Sequence, residues 1–193
     1  MGKLLVISAP SGTGKNTIIR ELLKLFPNTT RLVTTTTRDP RPGEKNGVDY
    51  HFVTEVKFQD MLARGEFLES NNYAGNWYGS ERQKLEQDLE KNEFVFSTLD
   101  VNGKKSLDKI SYPHIAIFLL PDSIDTLDDR IRHRGGESEE DIVKRIAIAH
   151  DEMALADTYD FQVVNTEGKM YKTVEQIQEF LKQYQSNERI TVS

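Results

Sequence analysis

The chain has 193 residues, 37% of them hydrophobic, and a formal net charge of −6. That is enough apolar material for one compact domain and the wrong sign for a broad nucleic-acid-binding surface. It contains no cysteine, which excludes disulfides, thiolate metal sites and a cysteine nucleophile. No apolar run approaches the ~20 residues of a membrane-spanning helix. The first residues show no signal-peptide or myristoylation pattern. A cytoplasmic protein that engages neither membrane nor nucleic acid is expected.

In chain order, the apolar run at 3–7 predicts a buried strand. A Gly-rich stretch, SAPSGTGKNT, follows at 8–17. Ile18, Ile19, Leu22, Leu23 and Phe26 then fall at helical spacing over 15–26, and Pro27 ends the pattern. Residues 34–92 break this rhythm. They are rich in Thr, Arg, Gly, Asn and Tyr, with short alternating strands around YHFV and NWYGS, and read as an inserted lobe. Buried strands return at 93–99, 114–120 and 161–165, with helices at 123–133, 139–155 and 170–184. RHRGGESEE is a second, smaller insertion with the character of a lid, although Ser138 and Asp141 also read as the cap of a helix. Short buried strands alternating with helices define an α/β fold with a parallel sheet flanked by helices. The expected division is a single domain with a core over 1–33, 93–130 and 146–193, a mixed α+β lobe over 34–92 and a lid over 131–145.

Ala9-Pro10-Ser11-Gly12-Thr13-Gly14-Lys15-Asn16 lies between the first strand and the first helix, the setting a phosphate-binding loop requires. Glycines let backbone N–H groups turn inward, the helix N-terminus adds positive potential, and Lys15 can reach outer phosphates. The strict pattern G-x-x-x-x-G-K-[ST] is broken twice. Ala9 is nearly as small as glycine. Asn16 puts a carboxamide where a hydroxyl normally contacts Mg²⁺. Read alone, the loop also fits an ordinary strand-to-helix turn.

Residues 34–53 read TTTTRDPRPGEKNGVDYHFV, with EFLES and NWYGS downstream. Together with SGTGK, the lid segment and VVN near the end, these motifs resemble the guanylate kinase family over nearly the whole chain. The resemblance implies a P-loop fold with an inserted monophosphate-binding lobe. It also implies transfer of the terminal phosphate of ATP to GMP, with Mg²⁺ as cofactor and dGMP as a second candidate acceptor. Arg38, Arg41, Tyr50 and Tyr78 would hold the GMP phosphate, and Glu44 and Asp100 complete the GMP-binding set. Thr34, Glu69 and Ser80 would read the guanine. Lys15 would bridge the ATP phosphates within the loop Ala9 to Thr17. Arg130, Arg134 and Arg145 would close from the lid, and Asn165 would lie near the adenine. Lys15, Arg38, Arg134 and Arg145 form the implied catalytic set. The residue types suit these roles: guanidinium groups bind phosphate bidentately and tyrosine hydroxyls add directed donors. Each also has a plainer reading, as a surface ion pair, a half-buried aromatic or a solvated acid.

The chain departs from the family pattern at Asn16 and at Thr98, which stands where the family carries an acid before Asp100; Asn102 replaces a glutamine. Both of the first two changes remove features that help hold Mg²⁺, so slowed catalysis is expected, and the protein contact to the metal stays open between Asn16 and Asp100. None of the four histidines has metal-ligand spacing. Two competing readings are a ribose bisphosphate kinase-like enzyme and a non-catalytic guanylate kinase-like binding module. The first lacks a use for Thr34, Glu69 and Ser80. The second lacks a use for Lys15 and the lid arginines. Protein partners are not legible.

Overall fold

The computed structural model describes residues 1–10, 12–123, 127–128, 132 and 139–191. They form two compact units, one of residues 1–7 with 27–115, the other of residues 8–26 with 116–193.

In the first unit, β1 (Lys3–Ser8) and β2 (Thr29–Arg31) pair in parallel with β7 (Phe94–Thr98), so that Leu4 and Thr30 both lie level with Val95. Leu4 to Ile7 and Phe94 to Phe96 are buried throughout, which is why these strands are continuous apolar runs and not alternating ones. Helices α3 (Arg82–Lys91) and α4 (Val101–Lys109) contribute to the same core: Leu85, Leu89 and Leu107 cluster with Leu4, Val6, Leu32 and Val95. Asp100 caps α4 by accepting from the Gly103 N–H at 2.7 Å.

The segment expected as an inserted lobe folds within this unit. Its strands are β3 (Thr35–Thr36), β4 (His51–Phe52), β5 (Phe67–Tyr73) and β6 (Asn76–Glu81), in the order β4-β3-β6-β5. Helix α2 (Glu55–Ala63), capped by Thr54, packs Phe58 onto one face of that sheet. The Phe58 ring stacks on Phe67 at 4.5 Å and on Trp77 at 5.8 Å. A Cβ on Gly79 would come within 2.7 Å of the Phe67 ring, so only glycine lets the aromatic layer close over β6.

In the second unit, α1 (Lys15–Leu25) buries Ile18, Ile19 and Leu22, the face predicted from their spacing. Strands β8 (His114–Pro121) and β9 (Phe161–Asn165) pair in parallel, Ile117 with Phe161 through Pro121 with Asn165. Leu127 clusters with Ile142 and Ala149 of α5 (Glu139–Met153). Phe180 of α6 (Met170–Thr191) stacks on Phe161 at 4.5 Å.

Each strand expected from an apolar run is present to within a residue or two. Helices α2, α3 and α4 and strands β2, β3 and β5 are additions to the sequence reading, and the helix expected at 123–133 lies mostly outside the described residues. Helix α3 buries only Leu85 and Leu89, too thin a stripe to stand out among charged neighbours. Among the described residues, no helix is long and apolar enough to cross a membrane.

Candidate active site

The β5–β6 hairpin carries the first half of the site. Its register sets Glu69 opposite Ser80 and Asn71 opposite Tyr78, so strand alternation turns these four side chains to one face. The Phe58–Phe67–Trp77 layer takes the other. Glu69 and Ser80 are buried, and the Ser80 hydroxyl donates to Glu69 Oε1 at 2.6 Å. Burial pushes the Glu69 carboxyl up to about 7; the nearby Asp100 charge adds to this, against the stabilising bonds from Ser80. Glu69 Oε2 and Asp100 Oδ1 lie within 3.5 Å of the point a Gly103 Cβ would occupy, so two carboxylates meet at the first turn of α4. Asp100 Oδ2 accepts from Asn71 Nδ2 at 2.6 Å. Thr34 is buried next to β3, its carbonyl accepting the His51 N–H.

A second cluster in the same unit is cationic and aromatic. Both oxygens of Glu44 accept from Arg38 Nη2, at 2.9 and 2.8 Å, and Glu44 Oε2 also accepts the Arg41 backbone N–H at 2.8 Å. The Arg38 guanidinium lies 5.4 Å from the centroid of Tyr50 and 5.8 Å from that of Phe52. Tyr50 meets Tyr78 edge-on at 6.0 Å. Burial, then the neighbouring Tyr78, raises the Tyr50 hydroxyl above the ordinary phenol range, so it stays a neutral donor at working pH. Glu44 thus ties Arg38 to the turn that carries Arg41, leaving the Arg41 guanidinium half-exposed. The plain surface-pair reading of Arg38 and Glu44 and the anion-site reading are therefore compatible: the acid orients the fork.

The phosphate loop lies in the second unit. Gly12 and Gly14 have φ of 92° and 89°, backbone that favours glycine, and Gly14 caps α1. Thr13 closes the turn, its N–H and Oγ1 both donating to the Pro10 carbonyl. Lys15 Nζ donates to the Ala9 carbonyl at 2.6 Å, holding the ammonium over the loop. Asn165 braces it from β9: Nδ2 donates to the Thr13 carbonyl at 2.7 Å, and Oδ1 accepts from the Thr173 hydroxyl at 3.1 Å. Both ends of the Asn165 amide are thereby engaged in holding the loop. Asn16 is exposed on the first turn of α1.

Arg145 is on α5 and half-buried. Ser11, Arg130 and Arg134 lie outside the described residues, as do residues 131 and 133–138 of the lid segment. Sequence reading passed over Asn71, Gly103 and Thr173. The available signal for Asn71 was its period-2 spacing from Glu69; for Gly103 and Thr173 there was none, since each acts on a residue distant in sequence.

The guanylate kinase family model matches residues 1–184. The guanylate kinase of Nostoc sp. is 42% identical over 165 residues, covering 85% of this chain and 82% of that protein. That of Prochlorococcus marinus subsp. pastoris is 38% identical over 180 residues, covering 93% and 97%. The crystal structure of guanylate kinase from Anaplasma phagocytophilum superimposes with a TM-score of 0.76 at 28% identity, covering 95% of this chain and 86% of that one. The α/β fold with parallel strands flanked by helices is thus that of a P-loop nucleoside monophosphate kinase. The chain belongs to the guanylate kinase family.

Proposed function

We propose that the chain phosphorylates GMP at the expense of ATP, giving ADP and GDP, in the cytoplasm where both substrates are found. The observation that carries this is the buried Glu69–Ser80 pair beside Asp100, on the unit that also holds the Arg38–Tyr50–Tyr78 cluster. A guanine presents two neighbouring donors on its pairing edge, N1–H and the 2-amino group. Carboxylates accept both. Adenine has an acceptor at N1 and would leave a buried charge facing a lone pair, a mismatch able to discriminate by roughly 10⁴-fold. Thr34 completes the base end. Arg38 and Arg41 take the monophosphate, with the Tyr50 and Tyr78 hydroxyls as donors and Glu44 fixing the guanidinium plane of Arg38.

On the donor side, the loop amides and Lys15 hold the outer phosphates of ATP, and the Asn165–Thr173 brace keeps the loop shaped for them. Arg145, with Arg130 and Arg134, supplies charge to the phosphoryl group in transfer. Phosphoryl transfer needs alignment and charge neutralisation more than covalent help. The acceptor oxygen is a phosphate oxygen of GMP and needs no base to deprotonate it.

The residues fit a Mg²⁺ ion carried in by ATP. Such ions keep most of their waters and take one or two protein oxygens, and the described residues contain no group of three or more acids or histidines able to cage a metal. The exposed Asn16 carboxamide is the better candidate, because it follows Lys15 on the first turn of α1, beside the loop that would hold the ATP phosphates. Bound Mg²⁺ neutralises charge on the transferring phosphate. A carboxamide there, and Thr98 in place of an acid, support turnover slower than a serine or threonine loop would give.

The test is ADP formation with GMP, dGMP, AMP and a ribose bisphosphate across a Mg²⁺ titration, with GMP binding followed by calorimetry. Turnover with GMP and not AMP is expected. Turnover only with the sugar phosphate, or GMP binding without turnover at any Mg²⁺ concentration, overturns the reading.

A further inference from the structure

Asn71 carries a carboxamide on the same strand face as Glu69, two residues away, in a place where phosphoryl transfer itself calls for none. We propose that Asn71 is a positioning residue for base selectivity, holding Asp100 so that its carboxylate accepts from the purine 2-amino group. The proposal rests on the reading of this site as the one that takes GMP.

The geometry has three parts. Asp100 is held by one donor on each oxygen: the Gly103 N–H from α4 on Oδ1 at 2.7 Å, and Asn71 Nδ2 from β5 on Oδ2 at 2.6 Å. Two bonds from two different elements prevent the carboxylate from turning; with either one alone it pivots about its own χ2. Next, Asp100 Oδ1 and Glu69 Oε2 approach the same point beside Gly103, so the two acids form one acceptor surface. Glu69 Oε1 is already taken by Ser80. Finally, a carboxylate has about four acceptor sites, so the bonds from Asn71 and Gly103 leave Asp100 capacity for another donor. Guanine brings three hydrogens to this surface, one on N1 and two on the exocyclic nitrogen. Glu69 faces N1–H and one amino hydrogen, and Asp100 the other. The Asn71 donor also draws charge from Asp100, which eases its repulsion of Glu69.

A purely structural tie between β5 and α4 would look the same in the structure, so the test must read selectivity. Inosine monophosphate differs from GMP only by lacking the 2-amino group. Calorimetric Kd values for both ligands, with melting temperatures, are measured for the parent chain, Asn71→Ala and Asn71→Asp. Asn71→Asp keeps the shape, removes the donor and sets a like charge beside Asp100. The parent is expected to prefer GMP. Both variants should lose roughly tenfold of that preference, through weaker GMP binding at nearly constant affinity for inosine monophosphate. An unchanged preference, or equal losses for both ligands, overturns the role of Asn71 while leaving the GMP site standing. A parent chain that binds neither ligand overturns both. Should Asn71→Ala fail to fold, Asn71→Asp decides the matter by the same ratio.

Discussion

The phosphate loop and the β5–β6 hairpin are held in shape by opposite constructions. In the loop, the shaping bonds are mostly local: Thr13 to Pro10, three residues apart, and Lys15 to Ala9, six apart. In the hairpin's site they join distant residues: Ser80 to Glu69, eleven apart, and Asn71 to Asp100, twenty-nine apart. The loop is turned by its own glycines and local bonds and then braced once from β9 by Asn165, whereas the polar groups of the hairpin need a finished sheet and a capped helix before any of them is in place. The first construction turns its backbone with two glycines at positive φ; the second buries a carboxylate and pays for it in stability.

The contrast can be broken from either side. Lys15→Met should lower kcat on the order of 10³-fold, as removal of a single charge-stabilising donor does. GMP binding, measured by calorimetry on the same variant, should stay within a few-fold of the parent. Loss of GMP binding in that variant would mean the halves are not separable.

Glu69→Gln attacks the other half. GMP affinity should fall on the order of 10²-fold, because a charge-assisted pair is replaced by an amide whose N–H₂ opposes guanine donors. ATP binding should be unaffected. Stability should move the other way, with a definite pH dependence. The folded-state value of Glu69, about 7, lies above its ordinary 4.5. The proton-bound form is thus favoured by folding: that stabilisation is complete below about 4.5 and is lost as pH rises through 7. At pH 8 the parent carries the full cost of a buried charge, and the glutamine variant should be more stable by up to about 3 kcal/mol. At pH 4 the two should melt alike. Equal melting curves at pH 8 would show that the carboxylate is not penalised. By the same reasoning, GMP binding near neutral pH should release a proton, seen as buffer-dependent binding enthalpy.

Asn16→Ser sharpens the donor side by restoring the hydroxyl. Turnover should rise roughly 10–100-fold, by analogy with the effect of supporting groups at metal sites, with a lower Mg²⁺ requirement and an unchanged GMP Kd. Adding Thr98→Asp should raise it further. If neither variant turns over faster, the two departures are tolerated and the enzyme is not slowed by them.

Gly103→Ala should give the smallest effect. The new methyl would stand 3.0 Å from Glu69 Oε2, so the carboxylate must shift by a few tenths of an ångström. GMP should bind a few-fold more weakly while the helix gains about 0.5–1 kcal/mol from the alanine. A Tm that falls would mean the acid cannot move.

How legible each part was follows from the same contrast. The strands over Lys3–Ser8, Phe94–Thr98, His114–Pro121 and Phe161–Asn165 announced themselves because burial on both faces demands unbroken apolar runs. Helix α3, with two buried leucines among charges, did not. Arg38, Glu44, Tyr50, Glu69, Tyr78 and Ser80 are candidates through a family resemblance and not through periodicity, since their chemistry depends on who stands opposite. Asn165 was expected near the adenine; its amide is seen bracing Thr13 across 152 residues.

By itself, then, the sequence determined the α/β class and the phosphate loop with its asparagine. These depend on local rules: glycine for positive φ, apolar runs for buried strands, a lysine at a helix start. Only the tertiary structure decided that Glu69 is buried and holds its proton to about 7, that Asp100 is pinned from two sides, and that Asn71 is one of the groups pinning it. Burial, charge proximity and hydrogen-bond pairing are properties of packed neighbours, and the partners of Glu69 and Asp100 on the hairpin lie eleven and twenty-nine residues away along the chain.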